Sequence, residues 1–282
     1  MGETISRIVT GKTTPSFIYG TAWKKEATRG LVVSAAKAGF TAFDTANQPK
    51  HYSEPLVGEA LATLVAAGIS RDSLFLQTKF TPLNGQDQRV PYNSQAPLAT
   101  QVRESFESSL RNLRTDYIDS YLLHGPYSYP GLAEDDWQVW RAIEEIYRSG
   151  RTRSIGISNV NAYQLAMLIE KADIKPMAVQ NRCFANRGWD RQVRELCREH
   201  GIMYQGFSLL TANPYVLDIP EVLSMAGRLQ VHPEQVVFRF AMQIGMVPLT
   251  GTTSVRHMRD DLSVFEIQLT DDEIRFIETI AA

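Results

Sequence analysis

Cysteine is scarce in this chain, which has only Cys183 and Cys197 among its 282 residues. Two cysteines cannot build the disulfide framework that stabilises small secreted domains, and the chain has no Asn-x-Ser/Thr glycosylation acceptor. The first residues also lack a charged segment followed by an apolar core, which a secretory signal would have. These absences predict a cytoplasmic protein, in which both thiols stay reduced.

Long apolar runs and a surplus of one charge are also missing. No apolar run approaches the roughly 20 residues that cross a membrane. The net charge is −2, and the sequence lacks the clustered lysine and arginine of a nucleic-acid-binding surface. We therefore expect no membrane partner, no nucleic-acid partner and no metal site. A small molecule is the partner that this composition favours.

The sequence does contain a regular alternation of short apolar segments with longer amphipathic ones, which is typical of a parallel sheet covered by helices. Strands are predicted at 17–20, 41–44, 74–79, 118–123, 154–158, 177–181, 203–207 and 246–250. Helices are predicted at 29–38, 54–67, 98–113, 134–149, 160–171, 189–200 and 233–244. The pattern favours a single (β/α)8 TIM barrel over residues 1–282, because an open doubly wound sheet more often has about five or six strands.

Polar residues lie at the ends of three consecutive predicted strands, where a barrel of this type has its active site. Asp44 ends the second strand, Tyr52 lies in the loop after it, Lys79 ends the third strand and His124 follows the fourth. Each residue alone has an ordinary structural explanation, such as capping a helix, packing, solvation or hydrogen bonding to backbone. Together they predict a site that transfers a proton.

The chemistry of this group points to protonation of an oxyanion. A phenol has a pKa of about 10, which a neighbouring ammonium lowers by stabilising the phenolate. We expect Lys79 to have this effect on Tyr52 while Asp44 holds Lys79 by a charge-assisted hydrogen bond. His124 would donate to a carbonyl oxygen or share a proton with Tyr52. These residues by themselves leave the source of electrons open.

The ordered motifs DTA...HYSE..VG, LQTK, LLHGP, IGISN and AVQN resemble the aldo-keto reductase family, from about Gly20 to the last helix. The resemblance implies a barrel that binds a nicotinamide dinucleotide and reduces an aldehyde or ketone. It makes Asp44, Tyr52, Lys79 and His124 the catalytic tetrad. It also implies that the substrate lies against Trp23, His51, Tyr52 and His124.

The same resemblance implies where the cofactor binds. Ser158, Asn159 and Gln180 would hold the nicotinamide carboxamide, and Phe207 would stack on the ring. The complete set of expected cofactor contacts is Gly20, Thr21, Asp44, Ser158, Asn159, Gln180, Phe207, Ser208, Leu210, Thr250, Gly251, Thr252, Arg256, His257, Asp260 and Asp261.

The segment after the last strand, PLTGTTSVRHMRDDL, offers hydroxyls and backbone amides for a phosphate. The same residues could simply cap a helix. Family members that prefer NADPH commonly present a Lys-Ser pair and an arginine to its 2′-phosphate, but here Leu249 and Thr250 replace the pair. Positive charge would instead come from Arg256, His257 and Arg259, and adenine or ribose contacts from Asp260 and Asp261. NADPH is favoured, and NADH remains possible.

One departure from the family concerns the acid itself. Residues 47–51 lengthen the connection between Asp44 and Tyr52, and they bring His51 next to the tyrosine. We expect Tyr52 to be the acid because no other tyrosine lies in the loop and its spacing to Glu54 nearly preserves the downstream motif. His51 is then a loop or substrate-side residue.

Two other functions remain open at this point. One is a dinucleotide-binding regulatory subunit of low turnover, similar to the potassium channel β subunits that share this barrel. The other is a barrel aldolase or isomerase that uses Lys79 as a Schiff-base amine. For the enzyme we expect a monomer or a weak homo-oligomer.

Overall fold

A computed structural model describes residues 8–9 and 12–280, and its centre is a closed barrel of eight parallel strands. A two-stranded antiparallel sheet, which the sequence did not predict, precedes the barrel as β1 (Ile8–Val9) and β2 (Lys12–Thr13). The barrel strands are β3 (Ile18–Gly20), β4 (Ala42–Asp44), β5 (Phe75–Phe80), β6 (Ser120–Leu123), β7 (Ile155–Ser158), β8 (Ala178–Arg182), β9 (Met203–Phe207) and β10 (Val247–Thr250). They follow one another in chain order, and β10 pairs with β3 to close the ring. The predicted fold class is confirmed.

Helices cover the outside of this barrel. They are α1 (Thr28–Ala38), α2 (Glu54–Ala66), α3 (Leu98–Leu113), α4 (Glu134–Arg148), α5 (Ala162–Lys171), α6 (Arg191–Glu199), α7 (Pro220–Leu229), α8 (Pro233–Gln243), α9 (Val255–Ser263) and α10 (Asp271–Glu278). The boundaries of the predicted strands and of the first seven predicted helices differ from these by no more than two residues. Helix α7 was not predicted; it contains Gly227, a residue that weakens a helix.

Strand register divides the interior of the barrel into layers. Side chains alternate along a strand, so Ala42 and Asp44 lie on the same face of β4. Ala42 packs in a small buried apolar cluster with Ile18 and Leu249, whereas Asp44 takes part in a buried polar network. The apolar layer therefore lies toward the amino ends of the strands, and the polar layer toward their carboxyl ends.

Part of the HYSE..VG motif serves to fix helix α2. Glu54 is buried, and its Oε1 accepts a hydrogen bond of 2.6 Å from the Thr78 hydroxyl. A Cβ atom at Gly58 would lie only 2.0 Å from the carbonyl oxygen of Asn112 in α3. Only glycine therefore allows α2 and α3 to approach this closely. Because α2 begins two residues after Tyr52, these contacts anchor the loop that carries it.

The described residues contain no helix that is long and apolar enough to cross a membrane.

Candidate active site

Asp44 and Lys79 form a buried ion pair at the carboxyl ends of β4 and β5. The Lys79 ammonium donates to Asp44 Oδ1 at 2.6 Å, to Asp44 Oδ2 at 2.7 Å and to the Thr45 carbonyl at 2.8 Å. Burial lowers the pKa of Lys79, and the Asp44 carboxylate opposes that effect. All three ammonium hydrogens have acceptors, so the lysine is a fixed cation. This arrangement is unsuited to an attacking amine and disfavours the Schiff-base alternative.

Three buried glutamines surround the same carboxylate, and sequence reasoning missed two of them. Gln77 Nε2 and Gln180 Nε2 donate to Asp44 Oδ1 at 2.7 and 2.9 Å. Both nitrogens also contact Gln205 Oε1, at 2.7 and 2.9 Å, and Gln205 Nε2 donates to Gln77 Oε1 at 2.9 Å. The amides hold the carboxylate in one orientation, and the carboxylate in turn holds Lys79. Gln77 lies two residues before Lys79, so inward alternation along β5 could have suggested it.

Tyr52 completes the cluster from the loop after β4. Its ring centroid lies 5.4 Å from Lys79 Nζ and 6.0 Å from the His124 ring centroid, in an edge-to-face arrangement. The loop is well ordered by hydrogen bonds, since Asn47 N donates to Lys79 O and Tyr52 N donates to Gln48 O. Asp44, Tyr52, Lys79 and His124 therefore meet at one end of the barrel, as the sequence predicted.

The direction of the Tyr52 pKa differs from the sequence-based expectation. Burial raises the pKa of the phenol, and the negative charge of Asp44 raises it further. The expectation of a lowered Tyr52 pKa was therefore wrong. The reason is that Asp44 neutralises the ammonium at hydrogen-bond distance, so desolvation of the phenolate dominates.

His51 lies on the outer side of the same loop and not beside Lys79. Its ring stacks on Trp23 with centroids 3.8 Å apart, and its Nδ1 lies 2.9 Å from Gln48 Oε1. The backbone N–H of Trp23 also donates to the His51 carbonyl at 2.7 Å, and the Trp23 residue is 66% exposed. The pair forms an open wall of the site, consistent with the substrate-side position expected for both residues.

His124 is held by contacts from two neighbouring segments. Its Nδ1 lies 2.7 Å from the hydroxyl of Thr81, and its carbonyl accepts a 2.8 Å hydrogen bond from Asn159 Nδ2. Burial lowers the pKa of His124 well below its usual value, and the charges of Lys79 and His51 lower it further. The imidazole is therefore neutral at physiological pH. Thr81 was not predicted, although it follows β5 directly at the same barrel end.

The residues expected to hold the nicotinamide carboxamide lie side by side on β7 and β8. Ser158 and Gln180 are register partners, and the Ser158 hydroxyl donates to the Gln180 carbonyl at 2.7 Å. Asn159 has a left-handed backbone, with φ of 54°. Because the Ser158 hydrogen and the Gln180 N–H groups already have acceptors, these side chains would present oxygen acceptors to a carboxamide.

Other expected cofactor residues lie around the rim. Thr21 donates through its hydroxyl to the Asp44 carbonyl at 2.9 Å, next to Gly20, which pairs with Asp44. Phe207 ends β9, and Ser208 follows it with a left-handed φ of 57°. Sequence reasoning missed Arg182, whose guanidinium carbon lies 5.6 Å from the centroid of the Phe207 ring.

A cavity of about 260 Å³ adjoins the start of α9, where a cofactor phosphate and adenosine were expected. Seven of the predicted contacts line it: Leu210, Thr250, Thr252, Arg256, His257, Asp260 and Asp261. His232, Glu234 and Gln235, from the start of α8, also line it and were not predicted. Arg259 is exposed and lies outside this lining.

Charges of both signs line this cavity. The Arg256 guanidinium lies 2.9 Å from His232 Nε2 and 3.6 Å from Asp260 Oδ2. Burial raises the pKa of Asp261 to about 7, with smaller contributions from Asp260 and Glu234. Within the described part of the chain, buried Asp261 Oδ2 has no hydrogen-bond partner. An orphaned acceptor and a guanidinium in the lining of one cavity fit a ligand that carries both hydrogen-bond donors and a phosphate.

The loop around Gly251, beside this cavity, was expected either to bind a phosphate or to cap a helix. Ser254 caps α9 by accepting a hydrogen bond from the His257 N–H, so the capping alternative holds for this residue. At Gly251 the carbonyl instead accepts a hydrogen bond from the Lys24 ammonium, which brings a cation to the loop.

The Aldo/keto reductase family model matches residues 10–282. The chain belongs to the aldo-keto reductase family. It is 30% identical over 297 residues to the 7-acetyl-epi-neemfruitin B aldo-keto reductase of Melia azedarach, covering 96% of this chain and 87% of that protein. It is also 30% identical over 250 residues to the uncharacterized oxidoreductase YtbE of Bacillus subtilis, covering 88% and 82%. Family membership supports an oxidoreductase that acts on carbonyl groups.

Solved structures agree with the fold. An aldo/keto reductase from Brucella melitensis has a TM-score of 0.80 and 25% identity to this chain, and the match covers 96% of each chain.

Proposed function

We propose that this protein is an NADPH-dependent reductase of aldehydes or ketones in which Tyr52 donates the proton. The observation that carries the proposal is the meeting of the Tyr52 phenol with the Lys79 ammonium and the His124 imidazole at the carboxyl end of the barrel. In an aldo-keto reductase barrel, this is the end at which catalysis takes place.

The cofactor would be held by residues from three parts of the rim. Ser158, Asn159 and Gln180 would contact the nicotinamide carboxamide, and Phe207 would face the ring. The cavity around Arg256 would take the adenosine end. When bound, the nicotinamide supplies the hydride, and the protein contributes alignment and acid catalysis.

The raised pKa of Tyr52 is compatible with its role as an acid. It keeps the phenol protonated at neutral pH, and the alkoxide that forms in carbonyl reduction is basic enough to take that proton. The Lys79 ammonium then has a phenolate nearby to stabilise, in addition to Asp44. The proton moves from the Tyr52 hydroxyl to the substrate oxygen.

His124 would orient the carbonyl before this transfer. If the Thr81 hydroxyl donates to Nδ1, the neutral imidazole carries its hydrogen on Nε2. From that atom His124 can donate to the substrate oxygen and align it with Tyr52. Its depressed pKa keeps this neutral form across physiological pH.

The preference for NADPH is supported by Arg256, which lines the proposed adenosine cavity beside His232 and His257. A guanidinium binds a phosphate through parallel N–H groups. The carboxylates of Asp260 and Asp261 partly offset the attraction of Arg256 for a 2′-phosphate. We therefore expect NADH to bind more weakly than NADPH, but still detectably.

The test is loss of reduced-nicotinamide absorbance with a panel of aldehydes, comparing NADPH with NADH. Turnover of at least one aldehyde, lost in Tyr52→Phe, is the expected result. Undiminished turnover by Tyr52→Phe would refute the assigned acid. Tight dinucleotide binding with no turnover of any carbonyl would instead support a regulatory subunit.

A further inference from the structure

Arg182 occupies an unusual place for a guanidinium, at the last position of β8 on the inward-facing side. Gln180, two residues earlier, points into the barrel and reaches Asp44 Oδ1 at 2.9 Å. Side chains alternate, so Arg182 lies on the same face about 7 Å further toward the mouth. Its register partner on β9 is Phe207. Arg182 therefore borders the space above the catalytic cluster.

The Arg182 side chain is exposed and packs against an aromatic ring. It lies 5.6 Å from the centroid of the Phe207 ring, and it makes no hydrogen bond or ion pair with any side chain in residues 8–9 and 12–280. Other arginines of this chain do find carboxylates, as Arg194 does with Glu278 at 2.6 Å. A stacked but unpaired guanidinium at a mouth is free to bind an anion.

Further cations are exposed at this end of the barrel, although the whole chain has a net charge of −2. Lys50 and Arg187 are exposed in the loops after β4 and β8, on the same barrel end as Arg182. The carboxylate of Asp87, close enough to influence His51, is already paired with Arg89. Cations placed near the mouth of a low-dielectric site favour the approach of anionic substrates.

We propose that Arg182 binds a carboxylate on the substrate, so that the preferred substrates are carbonyl compounds that also carry an acid group. This inference rests on the proposed reductase function and specifies its substrate class. Arginine suits this role because its charge is permanent and its fork of N–H groups matches a carboxylate. The stacked Trp23 and His51 rings would cover the apolar part of such a molecule.

Matched aldehydes test the proposal. The substrates are 3- and 4-carboxybenzaldehyde, each compared with its nearly isosteric amide, 3- or 4-formylbenzamide, at low ionic strength. The quantity measured is the ratio of kcat/KM for the acid to kcat/KM for the amide. We expect this ratio to fall by about tenfold or more in Arg182→Met, the range for losing a hydrogen bond to a charged group. Arg182→Lys should recover part of it.

Arg187→Met is the matched control, because it removes one exposed guanidinium that stacks on Phe184 at 5.1 Å on the same rim. It should change the ratio by less than about twofold, the size of a weak screened interaction. An equal fall of the ratio in both variants would show a general electrostatic attraction by exposed cations and would overturn the proposed contact at Arg182. An unchanged ratio in Arg182→Met would overturn it as well.

Failure of the underlying function looks different. If the wild type reduces none of the four aldehydes with either dinucleotide, the reductase proposal fails. If the wild type reduces amides and acids with equal kcat/KM, and Arg182→Met leaves this ratio unchanged, only the inference about Arg182 fails. Glyceraldehyde 3-phosphate compared with glyceraldehyde then reports whether a phosphate serves better than a carboxylate.

Discussion

The ammonium nitrogen of Lys79 lies 2.6 and 2.7 Å from the two carboxylate oxygens of Asp44, and neither side chain is more than 4% exposed. The two residues are 35 positions apart in sequence and meet because β4 and β5 pair in parallel. Around them, Gln77 and Gln180 donate further hydrogen bonds to the same carboxylate. The pair is thus a desolvated cation and anion whose remaining polar contacts are satisfied by the protein.

Lys79→Met should lower the free energy of unfolding by about 3 kcal/mol, because it leaves a buried carboxylate without its cation. Urea denaturation measures the loss. The double variant Asp44→Asn/Lys79→Met should lose less than the sum of the single variants, since neither charge then remains. Arg141→Met, which breaks the exposed pair with Glu134, is the control and should cost no more than about 0.5 kcal/mol. Additive losses at Asp44 and Lys79 would contradict the coupling.

Tyr52→Phe should reduce kcat by about a hundredfold or more, the contribution of a positioned general acid. NADPH binding, followed by quenching of protein fluorescence, should remain close to that of the wild type. The adjacent His51→Phe keeps a ring against Trp23 and should affect KM more than kcat. The reverse pattern, with kcat lost in His51→Phe, would make His51 the acid.

The half-buried, neutral His124 should make the protein less stable in acid. Its folded pKa lies well below the usual value, so below about pH 6.5 the unfolded chain binds a proton that the native protein does not. As the pH is lowered, the free energy of unfolding should therefore decrease by up to about 1.4 kcal/mol per pH unit because of this residue alone. His124→Gln should flatten the decline between about pH 6.5 and 5. The exposed control His200→Gln should not flatten it to the same extent.

Cofactor binding should depend on pH through Asp261, whose pKa of about 7 makes it mostly neutral at pH 6 and mostly ionised at pH 8. The ionised carboxylate would face the 2′-phosphate in the proposed cavity and weaken NADPH binding. Asp261→Asn should therefore bind NADPH more tightly than the wild type at pH 8, by about 1 kcal/mol or severalfold, and little differently at pH 6. Fluorescence titration measures both. An equal gain for NADH would assign Asp261 to a different part of the cofactor.

Gly58→Ala should lower stability by about 3 kcal/mol, because the new methyl would meet the Asn112 carbonyl at 2.0 Å and force α2 away from α3. Gly30→Ala is a matched control in α1, where a Cβ has nothing within 4 Å. That substitution should instead stabilise the protein by about 0.5–1 kcal/mol through helix propensity. Similar losses in both variants would show that the α2–α3 contact is not the cause.

Local sequence patterns were sufficient for the order of the elements and for the main site residues. The strands are short, largely apolar runs with polar residues at or near some of their carboxyl ends, such as Asp44 in β4 and Lys79 in β5, and neighbouring strands of this barrel are neighbours in sequence. Parallel closure therefore brings Asp44, Lys79 and His124 to one end. Tyr52 was named from its place in the loop after the second strand, and the family motifs supported it, because no periodicity identifies a loop residue.

Contacts across the barrel were decided only by the tertiary structure. Gln77 and Gln205 are 128 residues apart, and Arg256 and His232 belong to different helical segments. The direction of the Tyr52 pKa also depended on the three-dimensional balance between burial, Asp44 and Lys79. The alternation of apolar and polar residues is a local pattern along the chain. The sequence by itself therefore determined the barrel and the ends of its strands. Hydrogen bonds and charges act over a few ångströms between distant segments, so only the closed barrel determined which polar groups of the described residues are paired with one another.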